Sequence, residues 1–238
     1  MPVISFLLVT ATAFWNPVDL NLDDDAVGLN RQVLVKLILA ALAGLVGLFG
    51  FTWSHRVRRA LTSGPGMLLS ILGAVFVATS LFASGELATV SRIASVIYVT
   101  YLLFVPTALV SLGLRSFLVA TLAGLALHLA LAWYLFLFVP SVGVFLEDLG
   151  PLAIIQRMGG TAHPNALGRL AVLAGLLSLV TLRSRQLAPS DGRGKAFLVT
   201  LIMISVLTLV LTKSRTAMLA GFAAAGYLRL DQLKTRAG

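Results

Sequence analysis

The apolar residues of this chain run in continuous blocks of about the length that crosses a bilayer, and the charged residues are confined to short segments between them. A hydrocarbon core offers the backbone no hydrogen-bond partners, so only helices or closed barrels span it. Barrel strands alternate apolar with polar residues. These blocks do not alternate, so the pattern predicts helices. Composition agrees: 58% of the 238 residues are hydrophobic and 11% are charged, against roughly 45 to 50% and about 25% in a soluble domain. That excess is too large for one buried core. The expected fold is all-α, a polytopic transmembrane helix bundle of about 8 helices forming a single transmembrane domain over 1–238, with no soluble domain of any size.

Helices are predicted at about 3–15, 33–53, 66–83, 93–112, 116–139, 164–181, 196–212 and 216–230. The first is short for the ~20 residues of a full span and has no basic residue before it, so it fits neither a complete span nor a signal peptide. With the first loop placed outside and the rest alternating, the inside segments hold eleven basic residues: Arg56, Arg58, Arg59, Arg115, Arg183, Arg185, Arg193, Lys195, Arg229, Lys234 and Arg236. Their acids are Asp191 and Asp231 alone, whereas the outside segments carry seven basic and seven acidic residues. The whole formal charge of +9 therefore falls on one side, as the positive-inside rule requires, which puts both termini in the cytoplasm. The basic excess orients the helices and calls for no nucleic-acid partner. The chain has no cysteine, so disulfides and cysteine-ligated metals are excluded.

Trp15, Trp53, Trp133 and Tyr134 fall near predicted helix ends, where interfacial aromatics collect. Gly44, Gly47 and Gly50 lie three apart, and Ala120, Gly124, His128 and Ala132 four apart, which marks faces where helices approach closely. His128 on such a face fits a structural role. No internal repeat is visible, and the longer connections are about 16–32 and 140–163, both outside.

Basic residues on the outer side need a reason. Thr212-Lys213-Ser214-Arg215-Thr216 places two cations in a tight outer turn, and a Ser214 cap on the following helix would leave its free amides beside Lys213 and Arg215. That is a phosphate-binding arrangement; two side chains snorkelling to lipid headgroups would give the same sequence. Arg157-Met158-Gly159-Gly160-Thr161-Ala162-His163-Pro164-Asn165 leads into the sixth helix, with Pro164 suited to its first turn. Arg157, His163 and Asn165 would gather at the outer membrane face, or the segment is simply a capped helix start with a flexible entry. Arg169, one turn further in, is costly inside a span and should face protein, water or an anionic ligand.

Other candidate motifs fail on spacing. Asn21 to Gly28 resembles a calcium loop, but its glycine and its twelfth position, Gln32, are wrong, so Asp23, Asp24 and Asp25 read as a solvated acidic run. Gly192-Arg193-Gly194-Lys195 lacks P-loop spacing. Glu147 and Asp148 have the chemistry of a general acid or base, but nothing in the sequence fixes their geometry. No metal site and no cofactor are expected.

The sequences RMGGTAHPNALG at the start of one helix and LTKSRTAMLAG after a cytoplasmic loop and a further helix resemble the bacterial O-antigen ligase and polysaccharide polymerase superfamily. The matching residues are His163, Pro164, Asn165 and Gly168, with Ser214, Arg215 and Thr216. The resemblance implies a membrane glycosyltransferase that moves a glycan from a polyprenyl diphosphate carrier to an acceptor at the periplasmic face of the bacterial inner membrane. The acceptor would be lipid A core for a ligase or another carrier-linked unit for a polymerase. It implies that Arg215 binds the departing diphosphate, seconded by Lys213 and Arg157 with Arg169 beside them, and that His163 and Asn165 shape the site. Members of that superfamily continue into a large periplasmic loop with a histidine general base, followed by more helices. This chain stops at Gly238, so it reads as the N-terminal part of such a domain with its catalytic base outside the sequence. A polytopic transporter or flippase component, or an inactive truncated remnant, is the alternative.

Overall fold

The computed structural model describes residues 1–15, 31–84, 87–148 and 154–237. Among them the helices are α1 (Pro2–Trp15), α2 (Arg31–Trp53), α3 (His55–Thr62), α4 (Gly64–Phe82), α5 (Leu87–Phe138), α6 (Pro140–Gly143), α7 (Pro164–Arg183), α8 (Gly192–Thr212) and α9 (Arg215–Ala237). A two-stranded antiparallel hairpin, β1 (Val144–Asp148) and β2 (Ile154–Met158), lies between α6 and α7. Among the described residues the fold is all-α apart from that hairpin, and five helical segments are long and apolar enough to cross a membrane. Only 11% of the most apolar stretch of Gly64–Phe82 and 33% of that of Pro164–Arg183 are buried within the chain. Leu45, Phe82, Leu219 and Phe222 are among many large apolar side chains left exposed. Contiguous apolar surface on this scale needs lipid around it. By helix length and hydropathy the chain is a multi-pass membrane protein.

One of the five segments, Ser91–Phe138, has 48 residues. At helical rise that is about 72 Å, more than twice the ~30 Å of a hydrocarbon core, so it holds two spans. The division falls at Gly113, whose φ of 74° and ψ of 159° interrupt α5. Glycine takes this backbone without the clash a side chain would meet. The sequence places its break between two helices at the same point, and Arg115 is exposed two residues on.

Three local expectations change. The connection after α2 is not a loop but contains α3. The connection over 140–163 is ordered at both ends by α6 and the hairpin, because Val144 to Asp148 and Ile154 to Met158 pair in register. The last helix begins at Arg215 and runs to Ala237; Arg229, Asp231, Lys234 and Arg236 in its second half keep it from the hydropathy of the five spans. The acidic run Asp23 to Asp25 lies outside the described residues.

The chain divides into two compact units, Met1–Thr12 with Val27–Ala120, and Ala13–Ala26 with Thr121–Gly238. In the first, Leu8, Val9, Ala43, Phe104, Ala108 and Ala120 form the core. The glycine stripe of α2 serves close packing there: a Cβ on Gly47 would lie 2.8 Å from the Phe104 backbone nitrogen, and one on Gly50 would collide with Thr107. In the second unit Leu122, Leu125, Leu129, Met158, Leu167, Ala171 and Leu201 bring α5, β2, α7 and α8 together. His128 is fully buried in this unit, its Nδ1 2.9 Å from the Phe14 carbonyl and its Nε2 3.1 Å from Thr161 Oγ1. A carbonyl only accepts, so Nδ1 carries the proton. The imidazole thereby ties α1 and α5 to the segment entering α7.

Candidate functional site

The site is assembled in the second unit from the start of α7, the hairpin and the turn from α8 to α9. His163 is the N-cap of α7, and its Nδ1 accepts from the Asn165 backbone N–H at 3.3 Å. Pro164 follows at the first helical position, where a missing N–H costs nothing. This entry fixes Asn165 opposite the hairpin, where its Oδ1 accepts from Arg157 at 2.7 Å.

Arg157 is the centre of the arrangement. Its side chain is 7% exposed. Nε donates to the Thr212 carbonyl at 2.7 Å, one terminal nitrogen to Glu147 Oε2 at 2.6 Å and the other to Asn165. One guanidinium thus joins β1, β2, α7 and the C-terminal end of α8. A buried arginine is stable only with such a set of acceptors, and Glu147 supplies the opposite charge.

The turn itself is held against α7. A Cβ on Gly168 would lie 2.8 Å from Ser214 Cβ and 3.0 Å from Thr212 Oγ1, so the absence of a side chain at 168 is what admits the turn. Ser214 is fully buried at this contact and its Oγ has no hydrogen-bond partner. That corrects the expectation that the Ser214 hydroxyl caps the last helix: the side chain is taken up by packing, and only its backbone carbonyl serves α9, accepting from Met218 N–H at 2.9 Å. Lys213, at the C-cap of α8, is left-handed with φ 49° and ψ 32°. Glycine or asparagine usually fills that role, and a side chain there costs ~1 to 2 kcal/mol.

Glu147, Ile155, Arg157, Asn165, Lys213, Arg215 and Thr216 enclose a pocket of about 400 Å³. Its one carboxylate is engaged by Arg157. Lys213 and Arg215 are exposed, and among the described residues neither side chain makes an ion pair or hydrogen bond. Two cations are therefore unmatched, beside the first turn of α9, whose amides lack intrahelical acceptors. Such a pocket suits a multiply charged oxyanion of the phosphate class.

Next to it, α7, α8 and α9 line an apolar groove of about 270 Å³, with Ala171, Leu209, Val210, Met218 and Phe222 among its walls. Val210 and Met218 stand three residues from Lys213 and Arg215, about one helical turn. The cationic pocket and the apolar groove are thus neighbours along the same two helices.

Of the residues singled out in the sequence, Arg215, Lys213, Arg157 and Asn165 meet in the pocket. Arg169 is not in its lining; it is exposed, and its Nε donates to the Asn165 carbonyl at 3.3 Å. His163 is also outside the lining, capping α7 with its ring edge-on to Phe145 at 5.1 Å. Glu147 is the participant whose place the sequence does not reveal. Glu147 pairs with Ile155 across the hairpin, one diagonal step from Arg157 on the same face, so the signal was the hairpin itself. Among the described residues no three His, Asp or Glu side chains gather as metal ligands do. No protein-family model, curated protein or solved structure matches this chain.

Proposed function

We propose that the pocket binds the diphosphate of a polyprenyl diphosphate-linked glycan, and that the chain serves transfer of that glycan to a glycan or lipid acceptor, in the manner of an O-antigen ligase or polysaccharide polymerase. The observation that carries this reading is the pair of unmatched cations, Lys213 and Arg215, one helical turn from an apolar groove. An amphiphile with a dense anionic head and a long apolar chain satisfies both at once. The charge bias of the connecting segments supports an outer, periplasmic location for the pocket, and the likeness of the two motifs supports a glycan as the group transferred.

In such a transfer the acceptor hydroxyl oxygen bonds to the anomeric carbon, the bond from that carbon to the diphosphate oxygen breaks, and the diphosphate departs with its electron pair. Arg215 and Lys213 stabilise the charge that develops on it, and preorganised donors of this kind are worth ~10²-fold to 10³-fold in rate. Arg157 organises their positions, since its guanidinium is already bonded to Thr212, Glu147 and Asn165. The proton of the acceptor hydroxyl passes to water at the outer face as the new bond forms, while Glu147 stays paired with Arg157.

The test is complementation of ligase-deficient and polymerase-deficient strains, with Arg215→Ala alongside, and binding of a polyprenyl diphosphate glycan by the purified protein. Glycan transfer that drops on the order of 10²-fold in the variant supports the reading. Full activity in Arg215→Ala removes that residue from the mechanism, and transport into vesicles without transfer favours a transporter.

A further inference from the structure

The segment between α2 and α4 belongs to the first compact unit and takes no part in the pocket. α2 ends at Trp53 and α4 begins at Gly64, both being membrane spans, and α3 fills the interval with a single residue, Ser54 or Ser63, at each end. Eight residues are too few for a stable isolated helix, but hydroxyls satisfy both termini. Ser54 Oγ accepts from Val57 N–H at 3.4 Å, while Thr62 Oγ1 donates to the Arg58 and Arg59 carbonyls at 3.2 Å and Ser63 Oγ to the Ala60 carbonyl at 2.6 Å.

The helix has two unlike faces. Val57, Ala60 and Leu61 share one by their spacing; Val57 is 1% exposed and the other two are half-buried. His55, Arg56, Arg58 and Arg59 are exposed, and among the described residues none of their side chains has an ion pair or hydrogen bond. Trp53, 79% exposed and stacked on Phe49 at 5.9 Å, stands at the end of the adjoining span. Single-residue links to two spans keep α3 at the membrane boundary. Its basic face is open to whatever lies at that boundary, and Trp53 is of the residue type that collects there.

We propose that α3 is a docking surface for acidic lipid headgroups, with Arg56, Arg58 and Arg59 contacting their phosphates. Charge complementarity selects the partner: three unpaired guanidinium groups held in the headgroup layer by a buried apolar face. The inference is independent of what the α8 to α9 pocket binds.

The full-length protein would be reconstituted in phosphatidylcholine vesicles with and without phosphatidylglycerol, re-extracted, and its retained lipids counted by native mass spectrometry. The triple variant Arg56→Gln, Arg58→Gln, Arg59→Gln should lose phosphatidylglycerol preference by roughly fivefold per removed charge at low salt, with the difference shrinking as salt rises. The matched variant Arg183→Gln, Arg185→Gln, Arg193→Gln should keep the preference. The lysine counterpart of the α3 triple variant should keep most of it, which separates charge from folding. Equal retention in the α3 glutamine variant, an equal loss in the matched variant, or displacement of the lipid by inorganic phosphate alone would each overturn the proposal.

Discussion

The two ends of the α7, α8 and α9 array both carry cations and use them differently. The connection from α7 to α8 has Arg183, Arg185, Arg193 and Lys195 around it, all exposed, and its one acid, Asp191, accepts from Gly194 N–H at 2.9 Å as an ordinary N-cap. The turn from α8 to α9 has two exposed cations, Lys213 and Arg215, yet it is locked to α7 at Gly168, tied to a buried arginine and strained at Lys213. Net charge orients a membrane protein; confinement of charge by neighbouring elements makes a pocket of it.

Arg157 should show the largest contrast. Replacing it by leucine strands the Glu147 carboxylate, the Asn165 oxygen and the Thr212 carbonyl. The expected loss is about 2 to 3 kcal/mol, less than for a wholly buried pair because the Glu147 side chain is 38% exposed. Arg185→Leu at the other end should stay within about 0.5 kcal/mol. Thermal unfolding in detergent measures both, and similar melting temperatures for the two variants would mean that Arg157 is no more structural than a surface charge.

Gly168→Ala is next. The added methyl presses on Ser214 and Thr212 and should cost about 1 to 3 kcal/mol while weakening pyrophosphate binding through the displaced turn. A Cβ at Gly192 meets open space, so Gly192→Ala should be neutral or stabilising by up to about 1 kcal/mol. Denaturation with pyrophosphate titration of both proteins checks the pair. Asp191→Ala should then remove a cap worth about 1 kcal/mol with pyrophosphate affinity unchanged; a change in affinity would show that the two ends are coupled.

How much of this was legible in the sequence depends on the range of the interaction. The spans are, because hydrophobicity is summed along the chain, and so is the break between 112 and 116, where Arg115 interrupts the apolar run. Arg157 with Asn165, and Lys213 with Arg215, are legible as two separate outer motifs, but not the contact that joins them, since nothing local tells that Gly168 faces Ser214. Ser214 departs from its local signal: a hydroxyl before a helix usually caps, and here tertiary packing consumes it. The hairpin stayed hidden because β1 and β2 are five residues each, and α3 because three arginines in eight residues look like a loop. Its signal was present, Ser54 followed by apolar residues at 57, 60 and 61.

Lys213→Gly should have the smallest effect on stability and the clearest bearing on why the two ends differ. A side chain at φ 49° costs ~1 to 2 kcal/mol relative to glycine, but glycine gives back about 0.5 to 1 kcal/mol through the freedom of the unfolded chain. The net is a stabilisation of about 0 to 1.5 kcal/mol, centred on about 0.75, read as a slightly higher melting temperature. If Lys213 is retained there for its charge, the same variant should bind pyrophosphate several-fold more weakly, having lost one of the two unmatched cations. A protein that melts higher and binds as before would identify Lys213 as a side chain snorkelling to headgroups, equivalent to Arg185 at the far end. A protein that melts lower would show that the lysine stem packs the turn. Only opposite movement of stability and affinity marks a strained position kept for its ligand.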